Sequence, residues 1–271
     1  MPHRKLLRGI TMPRHFAHYY FSKKLTENMS YALSAVIRLY PDAYLLGSLG
    51  ADLFPSEHKA RLDAADPVQI FGVSARHIFM NGSKCQLSYM LGMVSHYALD
   101  RVANPFTNYF AANGVAQYFG GKVETVSREE IEVGVDRHII RDYLGMEEAL
   151  KIVGGLKTRK LVLKEITELY MDVLNDLSDI YLNSHKTRAL LEGVSPDIPL
   201  AEGLGRLDYM NRENHEWRDA NKKKFKLSMD EILEAESETA YLLLEEFMAM
   251  ARSNKEPNVE LFALNGLGEK V

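Results

Sequence analysis

The feature that most constrains this chain is the helical spacing of its apolar residues. Residues 86–101, QLSYMLGMVSHYALDR, show it most clearly. Leu87, Leu91, Val94 and Ala98 recur at i, i+4, i+7 and i+11, which lines one face of a helix. The same period returns over 26–39, 66–81, 127–152, 158–184 and 228–252. Alternation of the strand kind never runs beyond about five residues, too short for a sheet-based core. The expected fold class is therefore all-α, a single multi-helix domain.

Local signals predict where the helices start and stop. Thr26 precedes the first periodic run as an N-cap, and Pro41 closes it. Asp66 followed by Pro67 opens the run over 66–81. Ser127 with Glu130 has the spacing of a capping box. Pro105 is expected to end the helix that begins near residue 86. Residues 40–58, rich in glycine and proline, read as a loop with a short helical turn, 114–124 read as a loop, and 185–206 read as a long connection. The final stretch, 255–271, reads as a loosely held tail.

Composition narrows the function classes. Apolar residues make up 46% of 271, enough for a sizeable core and against long-range disorder. The net charge of −4 argues against a general nucleic-acid binder, so no nucleic acid is expected as a partner. Cys85 is the only cysteine, which excludes an intramolecular disulfide and a four-cysteine zinc site. It is read as a small buried hydrophobe. The N-terminus, MPHRKLLRGITMPRHFAHYYF, lacks the apolar core of a secretory signal. No apolar run reaches the roughly 20 residues of a transmembrane segment. These features give the expectation of a cytoplasmic protein, with its oligomeric state open.

His96 and Asp100 are the best candidates for chemistry. One turn apart, they share a helix face and can reach one ligand. An imidazole and a carboxylate are natural zinc donors. A structural His–Asp hydrogen bond at the core's edge fits the pair equally well. His18, Asp52 and His77 are further candidates, and together the five could hold one or two zinc ions. Glu132 and Asp136 repeat the i, i+4 spacing as like charges. Asp136 is read as part of a solvated face.

At these residues the sequence resembles a known family. MPRHFAHYYF, YLLGSLGADLF, SARH and YMLGMVSHYALDRVANPF are similar to segments of the bacterial zinc-dependent phospholipases C. That family shares its all-helical zinc fold with P1-type nucleases. The resemblance spans roughly residues 12–250, and DYMNRENHEWRDA at 208–220 belongs to it more loosely. It implies an extension over 1–11, with Met12 an alternative start to Met1, then a domain over 12–254 and a tail over 255–271. It implies that Asp52, His77 and His96 hold one zinc, and that Asp100 and His18 serve a neighbouring one. Glu132 falls at a third site. The activity implied is hydrolysis of a phospholipid or other phosphodiester by a zinc-activated water, with Asp52 as the carboxylate that orients that water or takes its proton.

Two departures cut against the family pattern. The helix of relatives continues Asp-x3-His-Pro, where this chain has Asp100-x3-Asn104-Pro105. Downstream, Arg128 stands where relatives have the histidine of His-x3-Glu-x3-Asp. Asparagine is a poor zinc ligand and arginine is a permanent cation. The third site thus keeps Glu132 but loses both imidazoles, and Arg128 could fill it by pairing with Glu132. The alternative to a hydrolase is a weak or inactive metal-binding or structural protein on the same scaffold.

Overall fold

A computed structural model describes residues 15–116, 123–153, 156–178, 182–193 and 211–271. The chain is mostly helical, as the apolar spacing predicts. The proposed extension over 1–11 and its boundary at Met12 lie outside the described residues. Among the described residues no helix is long and apolar enough to cross a membrane.

The axis of the molecule is α6 (Lys84–Asn113). Around it pack α1 (His15–Glu27), α2 (Tyr31–Leu39), α3 (Pro41–Ser48), α5 (Pro67–Asn81), α7 (Arg128–Ile139) and the C-terminal α12 (Met229–Ser253). Several starts follow from their capping residues. The Asp66 carboxylate accepts the Val68 N–H at 2.9 Å, with Pro67 at the first helical position of α5. Ser83 with Gln86, Ser127 with Glu130 and Ser228 with Glu231 form complete capping boxes on α6, α7 and α12. The first cap differs from expectation. Ser30, not Thr26, caps α2, and Thr26 instead donates to the Lys23 carbonyl at the end of α1.

Pro105 does not end α6. Its missing N–H removes one hydrogen bond, but Ala103, Asn104, Phe106, Thr107 and Phe110 are buried around it and keep the helix continuous. The region read as a loop over 40–58 is also largely helical. It forms α3, a 3-10 turn (Gly50–Leu53) and the start of α4 (Ser56–Ala64). The glycine that suggested a loop is a packing device. A Cβ at Gly47 would lie 2.0 Å from the Tyr89 carbonyl oxygen, and one at Gly92 would lie 2.1 Å from that of Tyr44. Helices α3 and α6 therefore touch backbone to backbone.

The long helix expected over 127–152 is divided. After α7 comes a π-turn (Ile140–Leu144), then Gly145 at φ +76°, then α8 (Met146–Val153). The run expected over 158–184 comprises α9 (Lys160–Leu169), a second π-turn (Tyr170–Leu174) and α10 (Asn175–Ser178). Helix α11 (Ser184–Glu192) occupies the start of the expected connection, the rest of which lies largely outside the described residues. Two antiparallel ribbons were not anticipated. They are β1 (Val115–Ala116) with β2 (Val123–Glu124), and β3 (His215–Arg218) with β4 (Lys224–Leu227).

Residues 255–271 are not loosely held. Phe262 is fully buried against Phe71 and Tyr97. The Tyr97 hydroxyl donates to the Leu264 carbonyl at 2.5 Å, and Asn104 Nδ2 donates to that of Gly266 at 2.6 Å. Gly268, at φ +74°, lies over Pro105, where a Cβ would meet Pro105 Cγ at 2.4 Å and the Arg101 carbonyl oxygen at 2.5 Å. The segment is strapped along the second half of α6.

Candidate metal centre

The close crossing of α3 and α6 builds the site. It brings the Ser48 carbonyl to 3.1 Å from His96 Nδ1. A carbonyl only accepts, so Nδ1 carries a hydrogen and Nε2 is turned toward Asp100. Gly50, at φ +46°, lies flat on the imidazole, since a Cβ there would be 2.5 Å from ring carbons of His96. The 3-10 turn that follows delivers Asp52. Helix α1 delivers His18, whose ring stacks on that of His96 with centroids 3.9 Å apart.

Asp100, one turn after His96, binds the group together. Its Oδ1 lies 3.2 Å from His18 Nε2, and its Oδ2 lies 3.1 Å from His96 Nε2. Asp52 Oδ2 is 3.8 Å from His18 Nε2. Two side chains from α4 complete the cluster. Lys59 Nζ sits 2.5 Å from Asp52 Oδ1, 3.3 Å from Asp63 Oδ2 and 3.7 Å from Asp100 Oδ2. His18, Asp52, Asp63, His96 and Asp100 are all buried.

Burial and mutual charge set the protonation of the cluster. Burial, helped by the neighbouring His96, lowers His18 to about 4, so its imidazole is neutral near pH 7. Burial also opposes the charged forms of Asp52 and Asp100. Lys59 and the two imidazoles overcome it and hold both carboxyls below their ordinary range. Burial opposes a charged His96 as well, but Asp100 outweighs it and raises that pKa. At Asp63 burial wins over Lys59, and its carboxyl rises to about 6.

The donor set fits a divalent metal. His18, Asp52 and His96 form one group, and Asp63, His96 and Asp100 another, with ligand atoms within 4.8 Å of one another in each. His18 Nε2, His96 Nε2 and Asp52 Oδ2 are buried and make no hydrogen bond among the described residues. Buried polar atoms are nearly always satisfied, so such a convergence calls for a ligand. Imidazoles together with carboxylates are the donor types of transition-metal sites.

Of the six expected metal residues, four converge here: His18, Asp52, His96 and Asp100. His77 does not join them. It lies half-buried on α5 and belongs to neither group, because Ser74, Ala75 and Ile78 form the inward face of that helix. Asp63 takes a ligand position that the sequence did not suggest. Its signal was the i, i+4 spacing from Lys59, in a stretch assigned to no element.

Glu132 lies apart, at the far half of the proposed cluster. Arg128 Nε donates to Glu132 Oε1 at 2.7 Å, and Arg128 Nη2 donates to Asn104 Oδ1 at 2.7 Å. The two residues that depart from the family pattern thus hydrogen-bond to each other, and Arg128 pairs with Glu132. Asp136, read as part of a solvated face, is instead buried. It accepts the Ala17 N–H at 2.9 Å in the first turn of α1. Cys85 is buried and its thiol pushed up to about 12, consistent with an inert packing residue.

A small cavity of about 40 Å³ adjoins the cluster, lined by Asp63, His96 and Asp100 and by apolar Leu62, Phe71 and Met93. It has room for about two waters. Gly266 of the C-terminal segment forms part of its wall. Fold and site together define a helical protein with a buried His–Asp cluster of metal-binding character. Comparison with protein-family models, curated proteins and solved structures finds no match to this chain.

Proposed function

We propose that this is a divalent-metal-binding protein on a scaffold of the phospholipase C and P1 nuclease type, with zinc held by His18, Asp52, His96 and Asp100. The observation that carries it is the convergence of two buried imidazole nitrogens and an Asp52 oxygen that make no hydrogen bond among the described residues. Bound zinc would supply a Lewis acid and a fixed positive charge for the surrounding carboxylates. Binding without turnover is favoured by enclosure. A catalytic zinc keeps an open coordination position with substrate access, whereas these residues are buried behind the C-terminal segment. The Arg128 pair with Glu132 further argues against a third ion.

A second function, phosphodiester hydrolysis of the phospholipase C kind, is favoured by the cavity beside His96, which can admit the attacking water. Asp63 lines that cavity, and with a pKa near 6 it suits proton exchange near neutral pH. Asp52, held below the ordinary carboxylate range, suits metal ligation.

Elemental analysis of protein purified under zinc-replete conditions tests the first function. Bound zinc is expected in the natural chain and lost in His96→Ala, and metal-free natural protein would overturn the proposal. Turnover of a chromogenic choline-phosphate ester tests the second. Equal rates for the natural chain and Asp63→Asn would assign any signal to contamination.

A further inference from the structure

We propose that the Lys59 ammonium stands in the place of a second metal ion, so that the cluster takes one divalent ion and no more. The inference rests on the metal-binding function above and specifies its stoichiometry.

Three carboxylates from three different elements converge on Nζ: Asp52 at 2.5 Å, Asp63 at 3.3 Å and Asp100 at 3.7 Å. The Lys59 side chain is 21% exposed, so its stem runs in from the surface of α4 and its head enters the cluster. In two-metal sites the ions lie about 3.5–4 Å apart and share ligands. Asp100 has that sharing disposition, with Oδ1 toward His18 and Oδ2 toward both His96 and Lys59. A second zinc held by Asp63 and Asp100 would need their oxygens at roughly 2.0–2.2 Å. The ammonium already occupies that space.

Charge leads to the same count. Ligating imidazoles are neutral. Three carboxylates less one ammonium leave two negative charges, which a single divalent ion neutralises. A second divalent ion beside a charged Lys59 would leave a buried positive excess, which is strongly disfavoured. The donors for the one ion are marked separately: His18 Nε2, His96 Nε2 and Asp52 Oδ2, which make no hydrogen bond among the described residues. Lys59 is thus a tethered cation that simplifies a site of the two-metal kind, as Arg128 does at Glu132.

Zinc titration of the metal-free full chain against a chromophoric chelator, with elemental analysis after dialysis, tests this. The natural chain is expected to take one zinc, Lys59→Met two, and Lys59→Arg one. Two zinc ions in the natural chain, or one in a folded Lys59→Met, would overturn the inference while leaving the metal site intact. No zinc in the natural chain would overturn the site and this inference with it. Should Lys59→Met fail to fold, diffraction at the zinc edge decides on the natural chain. One anomalous peak, with Nζ still within hydrogen-bond reach of Asp63, is expected, and two peaks refute the assignment.

Discussion

One stripe of α6 carries two polar clusters that solve the same electrostatic problem differently. His96 and Asp100 belong to the near cluster, and Asn104, one turn further, belongs to the far one. The near cluster gathers carboxylates around two stacked imidazoles whose Nε2 atoms face only the Asp100 carboxylate, at 3.2 and 3.1 Å. In the far cluster Arg128 donates to Glu132, to Asn104 and, at 3.1 Å, to Asn108. Asn104 in turn donates to the Gly266 carbonyl at 2.6 Å. The far network is therefore complete from within the chain. On the proposed metal-binding function the near network takes a further cation, with Lys59 covering only part of its negative charge. A buried carboxylate alone does not mark a metal site; what marks one is whether the chain supplies the compensating donors.

The largest effect is expected where the near cluster meets the backbone crossing. In Gly92→Ala the new Cβ would fall 2.1 Å from the Tyr44 carbonyl oxygen and 2.7 Å from the Ser48 nitrogen. Both neighbours are backbone, so the helices must separate. Loss of about 3 kcal/mol or more in denaturant unfolding is expected, together with loss of zinc uptake, because the Ser48 carbonyl that orients His96 moves too. Gly72→Ala on α5 is the control. There a Cβ would meet only the Pro257 ring, at 3.4 Å, and a gain of about 0.5–1 kcal/mol is expected from helix propensity. Equal stability for Gly92→Ala and Gly72→Ala would remove the crossing as the support of the site.

A smaller effect, and a different pattern, is expected in the far cluster. Arg128→Ala leaves Glu132 and Asn104 buried without the guanidinium that joins them. A fully buried pair broken this way costs about 3–5 kcal/mol. The Arg128 side chain is 36% exposed, and solvent screening reduces the expected loss to about 1–2 kcal/mol. Zinc stoichiometry should not change. A fall in zinc content in this variant would mean that the two clusters act as one site.

How far the sequence reveals the site depends on how local each interaction is. His96 and Asp100 are legible because i, i+4 spacing on an amphipathic helix needs no tertiary information. His18 and Asp52 are candidates by residue type alone until the family resemblance groups them, since nothing in their own neighbourhoods shows that α1 and the 3-10 turn converge. Lys59 and Asp63 are missed for a related reason. The glycines and prolines before them suggest a loop, whereas Gly47 is there to let α3 touch α6. His77 misleads because a histidine in a resembling motif says nothing about helix rotation, and α5 turns Ser74 and Ile78 inward instead. Pro105 misleads because a local rule on torsions is overridden by burial on both sides of it. The Arg128 pair with Glu132 was legible, since a cation four residues before Glu132 on one helix can pair with it directly, but the bonds of Asn104 to Arg128 and Gly266 were not, being tertiary.

The smallest expected effect tests whether the clusters communicate. Asp136 continues the stripe of α7 that begins with Arg128 and Glu132, yet its carboxylate reaches the near side. It accepts the Ala17 N–H at 2.9 Å, one residue before His18. A carboxylate at a helix N-terminus satisfies an otherwise unpaired N–H and interacts favourably with the helix dipole. Asp136→Asn retains an oxygen acceptor and removes the charge, so a loss of about 1 kcal/mol is expected, at the upper end for a cap because the group is buried. His18 then keeps its place less firmly, and zinc affinity should fall by a few-fold with stoichiometry unchanged. The two readouts separate the roles of the residue. A stability loss with unchanged zinc affinity would confine Asp136 to capping α1. Unchanged values of both would return it to the solvated face that its spacing first suggested, and would leave the far helix with no hold on the metal site.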